Sequence, residues 1–259
     1  IVQRVERIDP ISYARTRNFI DGDVTYLSPY ISRGVISTKY VLERTLERGF
    51  NIRQIEKFIQ ELAWREFFQR TWQQKGSLID RDLRNPQENV GNSLLPKAIV
   101  TASTNVEALD TGIERLFQTG YMHNHIRMYV ASVACNIGRS HWLSPARWMY
   151  YHLLDGDWAS NALSWQWVAG SGADAAPYFR VFNPVLQGEK FDPDGAYVRH
   201  WVPELARMRA EDIHAPWACP AARLADAGVV RVPRLESRVE EIPWWVRHAV
   251  RTHPSLAGR

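Results

Sequence analysis

Cysteine is scarce in this chain: Cys135 and Cys219 are its two thiols, far apart and outside any metal-ligand spacing. That excludes a disulfide framework and a thiolate zinc site, and leaves two buried free thiols in a reducing cytoplasm as the expectation. Long apolar runs are missing too. No segment nears the ~20 residues that span a bilayer, so no membrane association is expected. There is no GxGxxG after a strand, no P-loop, no HExxH and no GxSxG, which leaves the common nucleotide, metalloprotease and serine hydrolase classes without support. The DPDG at 192–195 lacks the other ligands and closing glutamate of a calcium loop and reads as a turn. Alternating strand patterns are absent as well.

What the chain does have is tryptophan, eleven in 259 residues. Indoles fill cores, stack on flat π systems and carry electrons or holes. A net charge of +4 and a pI near 9.1 lean mildly toward a polyanionic partner. The patterning is helical. In 51–73 the residues Ile52, Ile55, Phe58, Ile59, Leu62, Phe67 and Phe68 mostly keep three- and four-residue spacings, which predicts one amphipathic helix. Thr104 with Glu107 reads as a capping box opening a helix that stops at Gly120. Further helices are predicted over about 32–49, 121–138, 145–154 and 157–168, and 76–100 reads as a long surface connection. The expectation is an all-α fold: a helical domain over 1–205, and a partly irregular extension over 206–259 packed on it.

Four stretches carry chemistry. In VTYLSPYISRG, 24–34, Ser28 and Pro29 open a helix, and free backbone N–H groups beside the Thr25 and Ser28 hydroxyls suit a phosphate; a capped helix start is the plainer alternative. In QELAWREFF, 60–68, Glu61, Trp64 and Arg65 fall at i, i+3 and i+4, which puts an acid, an indole and a guanidinium on one face; an exposed salt-bridged face is the alternative. In MHNHIRMYVAS, 122–132, Asn124, Arg127 and Met128 share a face. His123 and His125 have no third ligand and point apart at i,i+2, so no metal is expected. Last is DGDWASNALSWQWVAGSGADAAPYF, 155–179, which sets Asp155, Asp157, Asn161, Trp165 and Trp167 ahead of a small-residue turn. A core needs apolar bulk; it does not need two acids, an amide and a WQW triplet.

In order and spacing these stretches, with the RVFNPVLQGEKFDPDGAYVRHWVPEL that follows, resemble the flavin-binding helical domain of the DNA photolyase and cryptochrome family. The resemblance covers about residues 10–217. It implies FAD as cofactor, held by Tyr13, Thr25, Tyr26, Leu27, Ser28, Arg65, Asn124, Arg127, Asp155, Asp157 and Asn161. Within that set, it implies that Arg127 and Asp155 pair across the isoalloxazine, Asp157 accepts from its polar edge and Asn161 faces N5. Trp165 becomes the first electron donor to photoexcited flavin, with Trp142 behind it. Trp64 and Trp167 form an aromatic clamp for a flipped pyrimidine pair, contacted by Glu61, Asn124, His125 and Met128.

The departures from the family pattern matter equally. His125 stands where the family has arginine, and Val24 where it has threonine. No tryptophan lies between Trp72 and Trp142, where the outermost redox tryptophan belongs. The family's WxxGxTGYP stretch is replaced by KAIVTASTNVEALD, and the resemblance does not reach the family's N-terminal domain, so no antenna chromophore is expected on these residues. The resemblance implies a deoxyribodipyrimidine photo-lyase, a monomer acting on UV-damaged DNA, with Asn124 arguing against (6-4) repair. A cryptochrome-like blue-light photoreceptor and a flavoprotein of dark redox chemistry stay open as alternatives, because fold and cofactor do not fix function.

Overall fold

A computed structural model describes residues 1–104 and 106–172, together with the short strand at 229–230. The described residues are mostly helical, and half of the α-helices start where a side chain accepts from the first free N–H groups. After α1 (Val2–Glu6), Asp9 accepts from the Ile11 and Ser12 N–H groups to open α2 (Pro10–Thr16), with Pro10 in the first turn. Then come α3 (Ser28–Ser32), α4 (Thr38–Leu46) capped by Ser37, and the long α5 (Ile52–Lys75) capped by Asn51. A 3₁₀ turn (Gly76–Asp80), a strand β1 (Leu95–Pro96) and α6 (Lys97–Val100) lead to α7 (Glu107–Thr119), which Gly120 ends in the left-handed region at φ 71°. His123 caps α8 (Asn124–Ser132), which runs into a π-helical turn (Val133–Ile137). Finally α9 (Leu143–His152) precedes α10 (Trp158–Ala169), capped by Asp157. The strand β2 (Val229–Val230) pairs antiparallel with β1.

The buried apolar residues form two clusters. The larger joins Leu95 and Ile99 to α7, α8, the π turn, α9 and α10. The smaller joins Val5, Ile8, Leu27, Val41 and Phe58. Helix α5 packs on α2, α4 and α10, and α10 packs in turn on α8 and α9, so these two helices bridge the clusters. Arg65 of α5 meets Asp157, the cap of α10, where the two helices pack.

Several sequence expectations are corrected. The segment 76–100 is no surface connection, since Ile79, Leu95 and Ile99 are fully buried. Its Asn, Pro and Gly mark turns between short buried pieces. The helix predicted over 32–49 is two, because Gly34 at φ 71° ends the first turn and Ser37 caps the second. The α5 stripe is narrower than expected: Ile55 and Phe58 are buried, whereas Ile52 is 63% and Phe67 49% exposed. Phe67 lies about two and a half turns beyond Phe58, on the opposite face. The Thr104–Glu107 capping box does not form. Thr104 Oγ1 donates to Asp110 Oδ1 at 2.7 Å and accepts from Val106 N–H at 3.2 Å, so the acid that answers it lies one turn further on. Cys135 is a buried free thiol, its pKa pushed up by burial. Cys219, the DPDG turn and the 206–259 extension lie outside the described residues apart from β2.

His152, at the end of α9, is held among aromatic rings, with Phe117 at 4.9 Å, Tyr151 at 5.1 Å and Trp148 at 5.5 Å between centroids. Burial lowers its pKa from 6.5 to about 4. The folded chain therefore holds it neutral while the unfolded chain protonates it below 6.5. Its contribution is complete above pH 6.5 and is lost as pH falls from 6.5 toward 4, at up to about 1.4 kcal/mol per pH unit. His123, also lowered by burial, acts in the same direction. Denaturant unfolding across this window should show the slope, and His152→Phe should remove about one proton's worth of it. An unchanged slope in that variant removes His152 from the account.

Candidate cofactor and active site

The turn before α3 is built by a non-glycine residue in left-handed backbone: Tyr26 at φ 52°. Its ring rests on Tyr121 at 5.0 Å, and Arg115 lies over the other ring at 5.0 Å. Burial, and then Tyr26, push the Tyr121 hydroxyl up to about 12. Leu27, fully buried, anchors the turn in the smaller cluster, and its N–H donates to Thr25 Oγ1 at 3.3 Å. No side chain caps α3. The Thr25, Tyr26 and Ser28 N–H groups find no protein acceptor among the described residues. Tyr13 lies edge-on to Phe58 at 5.2 Å, its hydroxyl raised by burial and by Glu61.

From α5, Arg65 and Trp64 diverge. Arg65 turns inward, with Nη2 3.1 Å from Asp157 Oδ2. That nitrogen is buried, yet no N–H on it is aligned with an acceptor, so it keeps donor capacity beyond the ion pair. Trp64 turns outward, 52% exposed, in contact with Phe67 and Phe68. Glu61 does not share their surroundings: it meets Arg17 Nε at 3.4 Å and Lys57 Nζ at 3.5 Å. The single acid–indole–guanidinium face expected from spacing is thus divided among separate partners.

Helix α8 supplies Arg127, whose Nη2 donates to both oxygens of Asp155 at 3.0 Å while Nε donates to Met122 O at 2.8 Å. Asp155 is 8% exposed. Asn124 opens the helix, exposed; His125 and Met128 are half-buried. His123 Nδ1 accepts from His125 N–H, and its burial-lowered pKa keeps that nitrogen able to accept. No cluster of three metal-ligating side chains occurs among the described residues.

The loop Leu153–Asp157 receives both cations. Asp157 accepts from Gln69 Nε2 at 2.7 Å, from Ser160 N at 3.2 Å and from Ser160 Oγ at 3.0 Å, so it is a helix cap and a staple to α5 as well as the Arg65 partner. Along α10, Asn161 and Trp165 follow at one-turn intervals. Asn161 Nδ2 donates to Ala146 O at 2.8 Å, which turns Oδ1 away from that carbonyl. Trp165 is 2% exposed; Trp167 is half-buried against the larger cluster. Trp142 is fully buried, its Nε1 donating to Asp82 Oδ1 at 2.7 Å.

Several residues here went unnoticed in the sequence. Gln69 was findable, since it follows Arg65 by one turn. Arg33, which donates to Leu154 O at 3.3 Å and Gly156 O at 3.4 Å and so braces the acidic loop, gave no local signal. Neither did Tyr121 or Asp82.

A family model described as the FAD binding domain of DNA photolyase matches residues 58–238. The chain is 40% identical over 216 residues to the deoxyribodipyrimidine photo-lyase of Agrobacterium fabrum, covering 78% of this chain and 43% of that protein. It is 35% identical over 237 residues to the one of Vibrio cholerae, covering 85% and 50%. Among solved structures it resembles a bacterial class III photolyase from Agrobacterium tumefaciens, at TM-score 0.61 and 33% identity over 100% of this chain and 55% of that one. A Synechocystis cryptochrome gives TM-score 0.65 and 29% identity, over 95% and 54%. The chain spans about half the length of the curated relatives it matches.

Proposed function

Because this chain belongs to the family of the FAD-binding domain of DNA photolyases, we propose that it holds FAD between the 24–28 turn, α5, α8 and the loop before α10, and that it reverses cyclobutane pyrimidine dimers under blue light. One observation carries the reading: two guanidiniums, Arg65 and Arg127, converge from different helices on the carboxylates of one loop, Asp157 and Asp155. A core has no use for so many charges at the join of two apolar clusters.

The residues present fit the group. The unpartnered N–H groups of Thr25, Tyr26 and Ser28 would take diphosphate oxygens, and Arg65 Nη2 has a donor to offer a further oxygen. Arg127 and Asp155 would flank the ring as a fixed pair. Asn161 would present Oδ1 to the ring, its Nδ2 being committed to Ala146 O. The amide oxygen accepts a proton's hydrogen bond but supplies no acidic proton. When bound and excited, the flavin supplies one-electron transfer. Trp165 would donate toward it and Trp142 would refill Trp165.

For the lesion, α5 and α10 pack together and carry Trp64 and Trp167. An indole half exposed on a helix is a stacking platform ready for an unpaired base. Glu61 is already paired to two cations and would reach a lesion by exchanging Arg17 or Lys57. Trp64→Ala and Trp167→Ala are each expected to weaken binding to dimer-containing DNA by about 1–3 kcal/mol. Binding to undamaged duplex, dominated by phosphate contacts, should hardly change at fixed salt. The check is titration of both DNAs, combined with spectra of the purified protein before and after blue light with a dimer-containing oligonucleotide. Equal affinity for both DNAs with no dimer reversal favours the second reading, a blue-light photoreceptor, to which the likeness to the Synechocystis cryptochrome gives support.

A further inference from the structure

Trp142 is the most enclosed large side chain near the site, fully buried, and its only polar atom is committed to a carboxylate. Indole Nε1 donates to Asp82 Oδ1 at 2.7 Å. The other oxygen of Asp82 accepts from Gln87 N–H at 3.0 Å, and Gln87 Oε1 accepts from the backbone N–H of Trp142 at 2.8 Å, so both ends of the contact are fixed. His141 Nε2 stands 3.5 Å from the same Oδ1, and its side chain is 28% exposed. The path from the buried indole thus runs through a carboxylate to an imidazole that reaches solvent. No tryptophan precedes Trp142 back to Trp72.

We propose that Asp82 takes the indole proton of Trp142 when that ring is oxidised, so that the electron hole is held on Trp142 as a neutral radical. The inference rests on the photoreduction reading above. Trp142 gives up one electron, by way of Trp165, to the photoexcited flavin, which is the oxidant. Loss of that electron makes the indole N–H strongly acidic. The N–H bond breaks with its electron pair left on nitrogen, an O–H bond forms on Asp82, and its carboxylate becomes a carboxylic acid. The transfer turns a buried ion pair, radical cation and carboxylate, into two neutral groups and so removes the desolvation cost of both charges. The donor–acceptor separation is within the reach that proton transfer requires. The proton exit takes over from a further tryptophan: it blocks return of the electron by changing the hole, where a longer chain would do so by moving it away.

A matched control is built into the fold. Trp158 Nε1 donates to Asp80 Oδ1 at 2.8 Å, the same contact made to an indole that is only half-buried. In flavin-loaded protein, a flash should produce the absorption of a tryptophan radical cation that gives way to that of the neutral radical, more slowly in deuterated water. Asp82→Asn, whose amide can accept the indole N–H but no proton, should slow that conversion by roughly a hundredfold and lower the yield of lasting photoreduction. Asp82→Glu should restore part of it, and Asp80→Asn should change nothing. Equal conversion in wild type and Asp82→Asn overturns the proposal, as does a wild type without isotope effect or neutral radical, a result that does not depend on any variant folding. A second arm uses the chain without flavin, a ruthenium polypyridyl photo-oxidant and electron paramagnetic resonance, with Trp142→Phe identifying the signal. A neutral Trp142 radical in wild type but not in Asp82→Asn supports the proposal, and the same radical in both overturns it. If wild type binds no flavin, the cofactor reading fails and this second arm still decides the role of Asp82.

Discussion

Arg127→Ala is expected to lower stability by about 3 kcal/mol and to abolish flavin retention. Asp155 is 8% exposed and loses the nitrogen that donates to both its oxygens. Removing one partner of a buried pair leaves an uncompensated charge, which costs more than the pair itself contributes. The Arg127 side chain is 22% exposed, so water enters its space and holds the loss to the lower end of the usual range. The Met122 carbonyl loses its Nε partner as well. The double variant Arg127→Ala/Asp155→Asn separates the two effects. Neutralising the stranded acid should return most of the stability, measured by denaturant unfolding, while flavin retention, read from visible absorbance against protein, stays lost. Normal flavin content in Arg127→Ala would defeat the assignment of this pair to the cofactor.

That pair came from the family resemblance, whose motifs HNHIRM and DGD hold Arg127 and Asp155; spacing alone does not bring the two together. The helices were legible from the chain itself. Periodicity, together with stops such as Gly120, is written within one or two turns of chain. What stayed hidden is whatever depends on residues far apart. Asp82 meets Trp142 across sixty positions, and Arg33 meets Leu154 across more than a hundred. Nothing near either residue says so.

Other differences came from reading local patterns too simply. In α5 the spacings from Ile52 to Phe68 predict one stripe, although half-turn drift carries Phe67 and Trp64 to the side away from Ile55 and Phe58. That drift is what leaves Trp64 half exposed. In 76–100, composition suggested exposure, but a buried residue needs only a place in the core, and Ile79, Leu95 and Ile99 each find one between turns. Thr104 was paired with the acid at the usual spacing, whereas the backbone enters α7 late enough to bring Asp110 round instead.

Trp165→Phe is expected to leave flavin bound and to remove most of its photoreduction. Trp165 lies one turn after Asn161 on α10 and is 2% exposed, so phenylalanine keeps an aromatic ring in the same cluster at a cost of about 1–3 kcal/mol for the space left behind. Phenylalanine is far harder to oxidise than indole, so the donor is lost while the packing is mostly kept. Trp142→Phe should behave differently in two measurable ways. It strands Asp82 Oδ1 without its indole donor, so it should melt earlier than Trp165→Phe. It also leaves Trp165 able to donate once, so fast flavin reduction should appear after a flash and then decay by return of the electron, with little lasting product. Time-resolved absorption on both variants distinguishes the order of transfer. Lasting reduction in Trp165→Phe but none in Trp142→Phe would reverse it, and would place Trp142, with its carboxylate, nearest the flavin.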